Sequence, residues 1–268
     1  MTRSNAALAQ PAPTTVDLGV LPSMLGPALG TRAAIGLVVL ATEQTMEHEF
    51  RHLLARPGVA FYESRLYNDA EITSETLAAI GPRITPATEL ILPGVALDVV
   101  AFGCTSATMT LGEDYVFDAI RTARPEVKCS TPVTAALAAF EALGVRSIGL
   151  LTPYSPSITA GLARYFEGRG LTVAASATFD RPDDLEVPLI STASIEEGAS
   201  CLAKVPGVEA VFISCTSMRV AEVVETIEAR TGVPVTSSNH AMAWHCLRLA
   251  GVADEVPGAG RLFRTALA

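Results

Sequence analysis

Apolar and polar positions change rhythm in blocks along this chain. From Ile35 the run IGLVVL is continuous and rich in branched residues, as expected of a strand buried on both faces. The next stretch, TEQTMEHEFRHLLA, shifts to helical spacing, with Met46, Phe50, Leu53 and Leu54 recurring behind a capping Thr42. A strand-like VAFYESRL follows, then a helical SETLAAIGPRITPATELIL broken at proline, then a strand at DVVAFG. EDYVFDAIRTA reads as a helix, VKCS as a short strand and TAALAAFEALG as a closing helix.

The pattern then starts again. SIGLLTPY parallels AIGLVVLA, VEAVFISCTS parallels LDVVAFGCTS, and VPVTSSNHAMAWHCLRLAGV parallels VKCSTPVTAALAAFEALGV. Gly36 precedes Cys104 by 68 positions, and Gly149 precedes Cys215 by 66. A repeat of that length points to two related α/β domains rather than a solenoid. Strands alternating with helices imply parallel sheets with crossover helices. The expected fold is thus α/β, with two pseudo-symmetric doubly wound domains and an active-site cleft between them. Residues 1–30, punctuated by Pro and Gly, read as a disordered or extended leader. The first domain is assigned to residues 31–132 plus 245–268, and the second to residues 133–244. The segment after Trp244 is expected to cross back onto the first domain, because no strand follows the last helix.

Composition narrows the function without naming it. The 268 residues are 49% hydrophobic and 18% charged, which suits a packed globular protein. The net charge of -9, with no Lys/Arg cluster, argues against nucleic-acid partners and against an anionic membrane surface. No apolar run reaches the roughly 20 residues that span a bilayer. The N-terminus lacks the apolar core of a signal peptide. Five scattered cysteines do not form a disulfide framework, so a reducing cytoplasm with free thiols is expected.

Both Cys-Thr-Ser motifs, Cys104–Ser106 and Cys215–Ser217, fall where an apolar strand ends. In open parallel sheets ligands bind beyond those ends, at the point where strand order reverses. A helix N-terminus there would lower the thiol pKa and present N–H groups to a substrate carboxylate, helped by the hydroxyls of Thr105, Ser106, Thr216 and Ser217. Two facing thiols need no cofactor. One can remove a proton from a carbon acid while the other returns one to the opposite face, or one can add to an activated double bond. Cys129, Cys201 and Cys246 lack this setting and read as structural.

His48-Glu-Phe-Arg-His52 fits the H-E-x-x-H spacing of a zinc site, but no third ligand follows convincingly, and a polar helix face accounts for it. His240 and His245 read as structural, and EVVETIEAR as a solvated helix face. Neither G-x-G-x-x-G after the first strand nor a GK[ST] loop is present, so nucleotide cofactors lack their usual signatures. No metal and no cofactor is expected.

The stretches IGLVVLATEQTMEHE, FGCTS, LLTPY, DDLEV, FISCTSMR and VPVTSSNHAMAWH resemble the aspartate/glutamate racemase superfamily, in its maleate isomerase and arylmalonate decarboxylase branch. The likeness extends from about Ile35 over nearly the whole chain. It implies that Cys104 is the nucleophile or first base, that Cys215 is the proton donor or second base, and that Tyr154 holds a substrate carboxylate. Both cysteines together favour the isomerase and racemase side, since the decarboxylases keep only the second. The resemblance also implies a homo-oligomer acting on a small carboxylate.

Two positions depart from the maleate isomerase pattern. Glu43, within Ala41–Glu47, stands where those enzymes carry a substrate-binding Asn, and Asp184, in DDLEV, replaces a second Asn. An amide donates to a carboxylate, whereas an ionised acid repels it. Glu43 and Asp184 therefore point to a substrate with a cationic or donating end, such as an amino acid. The LATEQTMEHEFR form is also similar to the ectoine-utilisation proteins of this superfamily. Alternative readings are a binding or sensory protein without turnover, and a decarboxylase using Cys215 alone.

Overall fold

A computed structural model describes residues 16–69, 73–181 and 183–268. It contains two four-stranded sheets whose neighbours all pair in parallel. In the first, β1 (Ala33–Leu40), β2 (Val59–Leu66), β3 (Val99–Gly103) and β4 (Lys128–Ser130) lie in the order β2-β1-β3-β4. In the second, β5 (Ser147–Thr152), β6 (Thr172–Thr178), β7 (Ala210–Ile213) and β8 (Val235–Ser237) repeat that order as β6-β5-β7-β8. The central strands β3 and β7 are buried at every position, which is why their sequences are unbroken apolar runs.

The helices cover the sheets. α1 (Met46–Leu53) follows β1, and α4 (Thr105–Leu111) starts directly after β3. The helical stretch with the Pro break is two helices, α2 (Ser74–Ala78) and α3 (Gly81–Glu89). The chain breaks at Ala79–Ile80, ahead of Gly81 and Pro82, and Pro86 is accommodated inside α3. α5 (Glu113–Ala123) completes the first half, and α6 (Pro132–Leu143) leads to the second. There α7 (Pro156–Glu167), α8 (Thr192–Ala203) and α9 (Val224–Thr231) flank the sheet, and α10 (Ser238–Leu249) closes it.

The two closing helices lie against each other and lock the halves together. Ala136 and Phe140 of α6 pack into the core of the second sheet, while Ala135 and Ala139 face the first. Trp244 and Leu247 of α10, with Val252, Leu262 and Phe263, join the core around β1 and α1. Residues 16–30 contain no helix or strand and are largely exposed; residues 1–15 of the expected leader lie outside the described residues.

Three local expectations are corrected. Thr42 does not cap α1; the N-cap is Thr45, and the capping acceptor is the Glu43 carboxylate, which takes the Thr45 and Met46 N–H groups at 2.7 and 2.9 Å. No helix begins after Cys215, where turns carry the chain to Val224. α9 is not simply a solvated face: Glu228 is buried and accepts the N–H groups of Val235 and Arg261 at 2.9 Å each.

Among the described residues, no helix is long and apolar enough to cross a membrane.

Candidate active site

Strand order reverses between β1 and β3 in the first sheet and between β5 and β7 in the second. Glu43 follows β1, Cys104 follows β3, Tyr154 follows β5 and Cys215 follows β7. The four meet in one cleft. All nine residues singled out from the sequence line it: Thr105, Ser106, Thr216, Ser217 and Asp184 complete the set.

The cysteine motifs are physically joined. Cys104 is the N-cap of α4, and its sulfur accepts the Ala107 N–H at 3.4 Å. A Cβ at Gly103, just before it, would run into Met46 Sδ and force that buried side chain to shift. The Cys215 N–H donates to Ser238 Oγ at 3.2 Å, and that oxygen lies 3.3 Å from Thr105 Oγ1. Ser238 thus ties the second motif to the first. Tyr154, buried between the thiols, places its hydroxyl within hydrogen-bonding reach of Cys215 and Ser106.

The electrostatics differ from the sequence expectation. Helix and loop N–H groups do favour each thiolate, but burial outweighs them and pushes both Cys104 and Cys215 up to about 12. The carboxylates of Asp184 and Glu43 add to that rise. Both thiols are therefore protonated at neutral pH. Tyr154 is likewise held well above its ordinary value, first by burial and then by the neighbouring Cys215.

One end of the cleft is acidic. Ser217 Oγ donates to Asp184 Oδ1 at 3.2 Å and approaches Glu43 Oε2 at 3.5 Å, while Thr42 Oγ1 donates to Asp184 Oδ2 at 3.0 Å. Asp69 stands at the rim beside the buried Asn68, whose Nδ2 donates to Thr42 Oγ1 at 3.0 Å. No Lys, Arg or His is among the described residues lining the cleft.

Asn68 and Asp69 were not foreseen. Their signal is position, directly beyond the C-terminal end of β2. Glu49 was also missed. It sits in the H-E-x-x-H stretch but is buried, accepting the Val220 and Ala221 N–H groups at 2.6 and 2.7 Å. His48 on the same helix is exposed and pairs with Glu222 at 3.0 Å. Of the remaining cysteines, Cys129 and Cys246 are buried, whereas Cys201 is exposed on α8. His240 is enclosed between Thr236 Oγ1 at 2.9 Å and the Ala259 carbonyl at 2.8 Å, a packed structural setting.

Fold and cleft together define the class, a cysteine-dependent enzyme of the isomerase and decarboxylase kind. Comparison with known proteins makes this specific. The chain belongs to the arylmalonate decarboxylase family, whose model matches residues 35–263. A maleate isomerase from Nocardia farcinica is 30% identical over 240 residues, spanning 86% of this chain and 95% of that protein. An arylmalonate decarboxylase from Bordetella bronchiseptica is 30% identical over 137 residues, 50% of this chain and 57% of that protein. A cysteine-to-serine variant of the Nocardia farcinica maleate cis-trans isomerase, solved with a covalently bound succinylcysteine intermediate, has a TM-score of 0.78 at 28% identity. It covers 87% of this chain and 98% of its own. The fold expected from the sequence is the one observed, and it is the fold of these isomerases.

Proposed function

We propose that this protein is a cofactor-independent isomerase that inverts the carbon next to a carboxylate in a small, amino-acid-like substrate, with Cys104 and Cys215 as the proton-transfer pair. The carrying observation is a cleft with two thiols and a tyrosine at its centre, three carboxylates on its wall, and no cationic side chain among its described lining residues.

Each element has a role in this reading. The substrate carboxylate lies on the N–H groups and hydroxyls of the two Cys-Thr-Ser motifs, with the Tyr154 hydroxyl as a further donor. The substrate ammonium faces Glu43 and Asp184, which otherwise oppose thiolate formation. Binding a cation there offsets their field, and one thiol loses its proton to water. That thiolate removes the Cα proton and leaves a planar enediolate. The opposite thiol then donates its proton to the other face, so that a thiol and a thiolate have exchanged places and the product is the mirror-image centre. A dicarboxylate such as maleate would bring a second negative charge against the acidic end without a cation to meet it.

The covalent succinylcysteine in the Nocardia farcinica relative favours a second reading, in which a thiolate adds to a carbon–carbon double bond that then rotates. Separate Cys104→Ser and Cys215→Ser variants, followed by solvent-deuterium incorporation at Cα, distinguish these. Loss of exchange in both variants supports the two-thiol racemase. Loss in Cys215→Ser alone, with carbon dioxide released from a malonate, supports decarboxylation. A mass increase on one cysteine with maleate, and no exchange with amino acids, supports cis–trans isomerisation. Ligand binding without any turnover in the unmodified protein supports a sensor.

A further inference from the structure

The space between the thiols is small. The catalytic cleft encloses about 40 Å³, room for roughly three waters, hence for a carboxylate and an atom or two beyond it. A second cavity of about 340 Å³ adjoins it, sharing Leu77, Thr105, Ser106 and Tyr154 as a common wall. Past that wall the lining is Met109 and Thr110 of α4, with Ile158, Gly161 and Leu162 of α7. Glu43, Asp69 and Asp184 line only the first space. Apart from the Tyr154 phenol, no ionisable side chain is among the described residues lining the second.

We infer that the second cavity is a specificity subsite that receives an uncharged tail, several heavy atoms long, of the same substrate whose head lies between the thiols. This rests on the reading of the cleft as catalytic and adds the substrate class to it. Polarity follows from the walls. The apolar surfaces of Leu77, Met109, Ile158 and Leu162 favour a hydrocarbon or acyl chain. The hydroxyls of Thr73, Ser74 and Thr110 can meet an amide or carbonyl within it. A charged tail would give up hydration against these apolar walls, with no acidic side chain among the described lining residues and only the exposed Arg164 at the edge, its Nη2 4.0 Å from a Cβ built at Gly161. Orientation follows from placement: the ammonium lies toward Glu43 and Asp184, and the tail leaves past Tyr154 and Ser106 on the other side. The substrate is therefore an α-amino carboxylate with a neutral side chain, longer than alanine and not a diacid.

Gly161 provides the test. A Cβ built there meets nothing closer than Arg164 Nη2 at 4.0 Å, so a side chain at this position projects into open space. It also replaces a helical glycine, which relieves rather than strains α7. Deuterium exchange at Cα is measured with alanine, norleucine, glutamine, glutamate and lysine, in the unmodified protein and in Gly161→Phe. The expected result is a kcat/KM for norleucine and glutamine at least about ten-fold above alanine and above the charged pair, a preference that shrinks toward one in Gly161→Phe. Equal rates across the panel, or an unaltered preference in Gly161→Phe, overturn the subsite while leaving the two-thiol reading standing. Thermal stabilisation by hexanoate, acetate and glutarate separates the two ideas if no amino acid exchanges. Stabilisation by hexanoate alone, lost in Gly161→Phe, retains the subsite and rejects the racemase reading. Stabilisation by none of the three rejects both.

Discussion

Asn239 Nδ2 donates to Glu49 Oε2 at 2.8 Å, across 190 positions of sequence, and the same nitrogen donates to the Thr216 carbonyl at 2.7 Å. Through this pair, α1 of the first half grips the loop that carries Cys215. Removing the acceptor in Glu49→Ala leaves the Val220 and Ala221 N–H groups without their partner and the Asn239 amide with the Thr216 carbonyl alone. The expected cost is about 3 kcal/mol, as for buried donors left unsatisfied, visible as a lower urea midpoint at unchanged m-value. Activity should fall further than stability alone explains, and Glu49→Gln, which keeps one acceptor oxygen, should recover part of both. An unshifted urea midpoint in Glu49→Ala would show that the bridge carries no load.

Tyr154 lines the cleft with Cys215, and its hydroxyl is among the groups that lower that thiol's pKa. Tyr154→Phe is expected to reduce turnover on the order of 100-fold, as when one well-placed donor to a developing anion is removed. It should also slow alkylation of Cys215 by iodoacetamide at a given pH, measured in a Cys201→Ser background because Cys201 is exposed. Normal alkylation with lost turnover would confine Tyr154 to substrate binding.

Glu43 and Asp184 place two carboxylates on the wall of the cleft. Glu43→Gln and Asp184→Asn should each lower the thiol pKa values, since both carboxylates raise them. Thiol alkylation at pH 8 should then speed up. Maleate and succinate should bind about ten-fold tighter to the double variant, read by thermal shift or calorimetry. Unchanged dicarboxylate affinity would mean that the acidic end does not face the ligand.

In the free protein the thiols titrate at about 12, so kcat/KM, which reports free-enzyme groups, should climb across pH 6–9 without a plateau. A plateau below pH 8 would contradict protonated resting thiols.

Stability should respond to acid through buried histidines. Burial lowers His240 and His245 to about 4, below the ordinary 6.5. Between those limits the unfolded chain binds the protons that the folded chain refuses, so their contribution is full above pH 6.5 and lost as pH falls toward 4. Glu49, raised by burial to about 7, acts oppositely, because the folded state holds its proton between about pH 4.5 and 7. Glu49→Gln should therefore steepen the acid limb by up to one proton, about 1.4 kcal/mol per pH unit. Urea midpoints from pH 4.5 to 7 check this, and a slope parallel to the unmodified protein would refute the assignment.

Much of the cleft was legible because parallel sheets put function at strand ends. The runs VVAFG and AVFI show no alternation, so their burial and their termini could be read from composition, and Cys104 and Cys215 follow at once. Glu49 was hidden by its type. It shares a helical face with Met46, Phe50 and Leu53, yet an acidic residue there reads as solvated until a partner is known. Asn68 and Asp69 carry no motif, and only the adjacency of β2 to β1 brings them to the cleft.

The sequence alone determined the repeat, the parallel α/β class and the two Cys-Thr-Ser motifs at matching strand ends, because periodicity and duplicated strand ends are local properties. The tertiary structure decided their chemical state. Burial raises the thiols above neutrality where helix ends alone would lower them, since desolvation depends on what the other half of the chain excludes. It also decided Glu43, which faces two ways at once, capping α1 with one oxygen and reaching Ser217 of the opposite half with the other.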